Sequence, residues 1–146
     1  MKIEILSFNE LTPTTLYEIL RLRSEVFIVE QTCAYQDVDG KDQQALHVLG
    51  WLDDTLIAYA RCFPPGVYFD DAAIGRVVIK EDFRKNKYGH ELMQAAIEAT
   101  TARFQVETIQ ISAQTYLIDF YQNLGFQVSG ESYLEDNIPH IRMIRN

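Results

Sequence analysis

Residues 76–97 read RVVIKEDFRKNKYGHELMQAAI, an apolar strand-like run, a basic loop and then an amphipathic helical period. Arg84, Lys85 and Lys87 crowd the loop, and Gly89 stands where the helix opens. The first N–H groups of a helix have no partner inside it and carry the positive end of its dipole, so such a junction receives phosphate. Neighbouring cations strengthen that pull, and a glycine lets a ligand approach the backbone closely. On local physics alone, a solvated charged turn with an incidental glycine accounts for the same residues equally well. No Gly-Lys-Ser/Thr follows, and no dinucleotide fingerprint is present.

Other constellations fail on spacing. Asp37-x-Asp39-Gly40-x-Asp42 has the outline of a calcium loop, but the glycine comes too early and position 48 is a valine instead of a bidentate glutamate. Three histidines and two cysteines show no zinc spacing, so no metal is expected. No Gly-x-Ser-x-Gly elbow is present. His47, inside a strand-like run, and His140, after Pro139, each read as structural or surface histidines before they read as site residues. Arg76 interrupts an apolar strand, either as a member of a buried ion pair or as a binder of an acidic acceptor group.

The elements around these residues fit one domain over 1–146, with no repeat or linker. The chain is 47% hydrophobic and 23% charged, which excludes disordered and fibrous classes. Its net charge of −8 repels a polyanion, and the basic cluster at 84–87 is too short to overcome that, so no nucleic-acid partner is expected. A charged Met1-Lys2-Ile3-Glu4 start and the lack of a long apolar run predict a cytoplasmic protein with no membrane partner and with Cys33 and Cys62 reduced. Strands are predicted over 2–8, 45–52, 55–63, 73–80, 108–113, about 126–133 and 140–145, with Asp53-Asp54 as a hairpin turn and a bulge at Gly75. Helices are predicted from Thr12-Pro13, over 89–104 and over 115–124, the last ending at Gly125. Alternation in the second half implies parallel pairing and a layered α/β sheet.

Two blocks carry a resemblance. Arg84-x-x-Lys87-x-Gly89, between strand and helix, resembles the pyrophosphate-binding motif Gln/Arg-x-x-Gly-x-Gly/Ala of the GNAT (GCN5-related N-acetyltransferase) family. TIQISA followed by DFYQNLGF (119–126) resembles that family's Tyr-x-x-x-Gly-Phe segment. LRSEVFIVEQTCAYQDVDGKD (22–42), AYAR (58–61), IGRVVI (74–79) and EDNIPHIRM (135–143) are similar to the ElaA-like subgroup, so the likeness covers nearly the whole chain. One departure stands out: Lys87 occupies the place of the motif's first glycine.

The resemblance implies an α/β (α+β) GNAT fold, a mixed, mostly antiparallel sheet of six or seven strands flanked by about four helices. It implies transfer of an acetyl group from acetyl-CoA, used as co-substrate without a metal, to a primary amine in a ternary complex. The backbone of Val77, Val78 and Ile79 would pair with the pantetheine arm as an added strand. The amides of Arg84, Lys85, Asn86 and Lys87, continuing through Tyr88, Gly89 and His90, would hold the pyrophosphate. Gln114 would face the cofactor, and Tyr121 would protonate the departing thiolate, unless it is a core aromatic. Glu30 and Gln31 would line the acceptor side, where Glu30 is a candidate base and His140 the next one, relaying through water. His47 and Arg76 complete the candidate acceptor residues. The acceptor, a small-molecule or peptide amine, is not named by the sequence, and a homodimer is compatible with it. The alternatives are a non-catalytic acyl-CoA sensor and a purely structural domain.

Overall fold

The computed structural model describes residues 1–146. Eight strands form one sheet: β1 (Lys2–Ser7), β2 (Leu46–Leu52), β3 (Thr55–Phe63), β4 (Ala72–Ile79), β5 (Ile109–Gln114), β6 (Gln127–Val128), β7 (Tyr133–Glu135) and β8 (Ile138–Arg145). Their order is β1-β2-β3-β4-β5-β8-β6, with β7 also paired to β8. Every pairing is antiparallel except β4 with β5, so the parallel pairing predicted for the second half is confined to that seam.

Two helices cover opposite faces. α1 (Pro13–Arg23) starts where Thr12 accepts the Thr15 N–H on its hydroxyl, with proline at the first turn. It brings Ile19 and Leu22 onto Leu49, Leu56, Tyr59 and Val78. α2 (Tyr88–Phe104) lays Leu92, Met93, Ala96 and Ile97 on the main core of β2 to β5 and β8. Leu92 and Met93 are fully buried, and each such side chain contributes about 1.5–3 kcal/mol.

Two irregularities shape the functional end. Tyr59 pairs with Val78 but Arg61 pairs with Gly75, so β4 carries one extra residue, and Arg76 takes it up at φ +50°. The predicted bulge is therefore real but sits one residue beyond Gly75. β4 and β5 then pair only at Ala72 with Ile109 and Ala73 with Gln110, which leaves the later part of that β4 edge without a strand partner. The second irregularity is the seven-residue π-helical run Ser24–Glu30 that prolongs α1, a wide-turn geometry frequent at functional sites.

The predicted strand over 126–133 is broken. Only Gln127–Val128 and Tyr133–Glu135 are extended, and β7 and β8 form a hairpin whose turn residues Asp136 and Asn137 have φ of 51° and 62°. Two positive φ values in a two-residue turn are the signature of a tight hairpin. The predicted helix over 115–124 is a 3-10 turn (Thr115–Leu117) followed by α3 (Ile118–Gln122), and Gly125 beyond it has φ +93°. No helix is long and apolar enough to cross a membrane.

Candidate functional site

The splay between β4 and β5 opens two cavities that share a wall. The larger, about 720 Å³, runs from Val77, Val78 and Ile79 to Arg84, Lys85, Lys87, Gly89 and His90 at the start of α2. The smaller, about 130 Å³, lies on the side of the β3–β4 loop and the β7–β8 hairpin. Phe27, Gln31, Val77, Gln114, Leu117 and Tyr121 line both.

The larger cavity has the chemistry of a phosphate-bearing ligand's site. Glu30 is the only acidic residue on its wall, against Arg84, Lys85 and Lys87. Unlike α1, α2 has no side-chain cap, so its leading N–H groups stay available. Lys87 has φ +61°, the left-handed conformation that glycine adopts without strain, which explains why a glycine suits this place in the motif. Gly89 has no such backbone need. A Cβ there would stand 3.5 Å from the Phe120 ring and 3.8 Å from Ile79 Cγ1, both on the cavity wall, so its missing side chain leaves room in the cavity instead of relieving the fold. Of the eleven residues expected around the cofactor, nine line this cavity. Asn86 is exposed outside it, and Tyr88 packs against the main core. Phe120 and Asn123 also line it and were not anticipated.

Several expected acceptor residues lie elsewhere. Glu30 borders the larger cavity alone, and both its oxygens accept from Arg84, at 2.5 and 2.7 Å. That bidentate pair raises the Arg84 pKa and leaves Glu30 engaged, so its placement on the acceptor side is corrected. His47 is fully buried in β2 and lines neither cavity. Its Nε2 donates to the Asp42 carbonyl at 2.9 Å, so Nδ1 accepts from the Tyr59 hydroxyl at 2.6 Å. Burial holds its pKa down, and the imidazole is a neutral core element instead of a substrate contact.

Arg76 does line the smaller cavity, yet its Nε donates to Asp37 at 2.7 Å, and it belongs to a buried network. Arg23, fully buried, donates to Asp37 and Asp42; Arg61 donates to Asp39 and Asp42. Three arginines from α1, β3 and β4 thus hold three aspartates of the segment that outlined a calcium loop. Burial pushes the Asp39 carboxyl up, but the Arg61 hydrogen bonds and charge outweigh it and hold the carboxyl at about 2. No group of three or more His, Cys, Asp or Glu side chains is arranged to hold a metal ion.

Tyr121 and His140 both stand on the wall of the smaller cavity. Tyr121 is buried among Phe120 and Phe126, its hydroxyl has no protein partner, and burial raises its pKa. His140, buried on the wall of the smaller cavity, is the register partner of Gln114. Glu135, 3.4 Å from His140 Nε2, stands in the sequence only as the first residue of the EDNIPHIRM block; the Asp136-Asn137 turn is the signal that places it beside the last strand.

A family model described as an acetyltransferase (GNAT) domain matches residues 12–146. The chain is a member of the GNAT family, in its ElaA-like subgroup. It is 42% identical over 142 residues to protein ElaA of Escherichia coli, covering 96% of this chain and 93% of that one. The crystal structure of E. coli ElaA superposes with a TM-score of 0.92 at 40% identity over 100% of both chains. An acyl-CoA N-acyltransferase from Pseudomonas aeruginosa gives 0.93 at 39% identity, again over 100% of both. An aminoglycoside 6'-N-acetyltransferase in complex with coenzyme A, at 17% identity and a TM-score of 0.74 over 99% and 96% of the two chains, shares the fold alone. GNAT membership explains the layout: a mixed, mostly antiparallel sheet flanked by four helical segments, as expected, with one strand more than the upper count. GNAT proteins use acyl-CoA, and the electropositive channel at α2 suits that donor.

Proposed function

We propose that the protein transfers an acetyl group from acetyl-CoA to a primary amine by direct attack in a ternary complex. The observation that carries this reading is the wall common to the two cavities, because it lets two substrates meet without a covalent enzyme intermediate. In this reading Arg84, Lys85 and Lys87, with the first amides of α2, bind the pyrophosphate. The free edge of β4 at Val77–Ile79 pairs with the pantetheine amides, and one of its N–H groups polarises the thioester carbonyl. Tyr121 lines both cavities and keeps its proton at neutral pH, which suits a general acid for the departing thiolate. Glu30 acts on the donor side by holding Arg84 in place.

The test is thiol release from acetyl-CoA across a panel of amines, run beside thermal unfolding with and without coenzyme A. A ligand at 100 times its Kd stabilises by about 2.7 kcal/mol. Stabilisation with amine-dependent thiol release supports the reading. Stabilisation without release from any amine leaves a sensor, and no stabilisation removes the donor site as well.

A further inference from the structure

The smaller cavity contains a pairing that the transfer reading does not assign. β7 and β8 run antiparallel, with Tyr133 opposite His140 and Glu135 opposite Ile138. His140 Nδ1 lies 2.7 Å from the Ile138 carbonyl oxygen, which can only accept, so Nδ1 carries the hydrogen. In the neutral ring, Nε2 then holds the free lone pair. Glu135 Oε2 lies 3.4 Å from that Nε2. Both side chains are fixed from behind: Ser112 Oγ donates to Glu135 Oε1 at 3.4 Å and hydrogen-bonds Tyr133, whose ring stacks on His140. Both line the cavity that also reaches Tyr121.

The charges around the cavity set its preference. Arg61 and Arg76 also line it, but with Arg23 they are matched one for one by Asp37, Asp39 and Asp42. The Glu135 carboxylate stands outside that balance, as does Asp136 in the adjoining turn. Phe63, Tyr68 and Phe69 pack edge to face and face to face on the wall, and suit an apolar stem. An apolar cavity of about 150 Å³ accepts benzene, so one of about 130 Å³ takes no group larger than a single ring.

We propose that Glu135 and His140 form an ammonium-receiving pair: Glu135 binds the cationic nitrogen of a small acceptor lacking a neighbouring carboxylate, and His140 Nε2 takes its proton. This rests on the transfer reading and deepens it. The ammonium gives one proton to His140, and the freed lone pair attacks the thioester carbonyl carbon. The C–N bond forms, the C–S bond breaks, and the sulfur takes the Tyr121 proton. The nitrogen's surplus proton restores the Tyr121 hydroxyl, and His140 releases the first to water. A carboxylate beside the amine would be carried against Glu135.

Benzylamine and phenylglycine, which differ by that carboxylate, are compared as acceptors with acetyl-CoA, beside a lysine-containing hexapeptide. Benzylamine is expected to exceed phenylglycine in kcat/KM by tenfold or more. Glu135→Gln should raise the amine KM about tenfold with kcat and the acetyl-CoA KM unchanged, and Glu135→Asp should recover part of it. His140→Gln should lower kcat by about 10²-fold or more, with acetyl-CoA affinity retained. His140→Asn repeats the measurement should the first variant unfold. Turnover of the hexapeptide with the same Glu135 dependence supports the pair with a peptide lysine as the source, and turnover of benzylamine supports it with a free amine. Equal or faster turnover of phenylglycine, or amine transfer indifferent to Glu135 and His140, overturns the pair alone. Coenzyme A binding without transfer to any of the three overturns the transfer reading instead.

Discussion

The side-chain amides of Gln31 and Gln114, 83 residues apart, hydrogen-bond each other reciprocally at 3.3 and 3.4 Å. Gln31 caps the π-helical run and Gln114 ends β5, so the pair lies at the wall where the two cavities meet. Gln114→Ala should cost only about 0.5–1.5 kcal/mol of stability, the usual net value of a neutral hydrogen bond. Because both cavities lose part of a wall, the KM values for acetyl-CoA and for the amine should rise together in steady-state kinetics. A rise in one alone would place the residue in a single site.

Tyr121→Phe removes a hydroxyl that has no protein partner and keeps a ring packed on Phe126, so the unfolding midpoint should move little. Turnover should fall by about 10²–10⁴-fold if that hydroxyl delivers the proton to sulfur. A folded variant with undiminished thiol release would leave Tyr121 as packing only.

Gly89 and Lys87 predict the same loss of cofactor affinity with different effects on stability. Gly89→Ala meets no atom closer than 3.5 Å and needs no unusual φ, so it should fold normally, yet its methyl enters the channel and should weaken acetyl-CoA binding measured by calorimetry. Lys87→Gly relieves a left-handed backbone and should stabilise by up to about 1 kcal/mol. The lost cation should also reduce acetyl-CoA affinity, more at low salt than at high.

His47 sets a pH dependence of stability. Its folded pKa lies below that of an unfolded histidine, about 6.5, so below that pH the unfolded chain binds more protons. The stability is complete above about 6.5 and declines as pH falls below it. Urea unfolding at pH 7.5 and 5.5 should show a smaller difference for His47→Gln than for the native chain.

The lining of the larger cavity is legible because its signal is local. A strand, a basic loop and a helix start lie within 76–97, and contiguous residues stay neighbours after folding. The lining of the smaller cavity is not, because it is assembled across the chain. Arg23 falls on the apolar period of α1, and only the fold brings Asp37 and Asp42 to it. Glu30 follows an apolar helix face, but the π-helical run turns it toward Arg84. The apolar neighbours of Arg76 allow two readings, and the ion pair with Asp37 is the one that the fold realises. The Asp136-Asn137 turn is readable, but the apolar and polar residues of 126–133 do not show the break after Val128 that sets up the hairpin bringing Glu135 to His140.

The wide-turn run at Ser24–Glu30 makes the site sensitive to how many residues the helix contains. An α-helix rotates 100° per residue, since 3.6 residues complete a turn. A run with i→i+5 bonding lags an α-helix by about one such step over its seven residues, so tightening Ser24–Glu30 into ordinary α-helix would swing Glu30 and Gln31 by about that angle, away from Arg84 and Gln114, and deleting one residue as well would bring them back. The segment therefore works as an indexing device, in which chain length more than side-chain identity aims the residues that close the cleft.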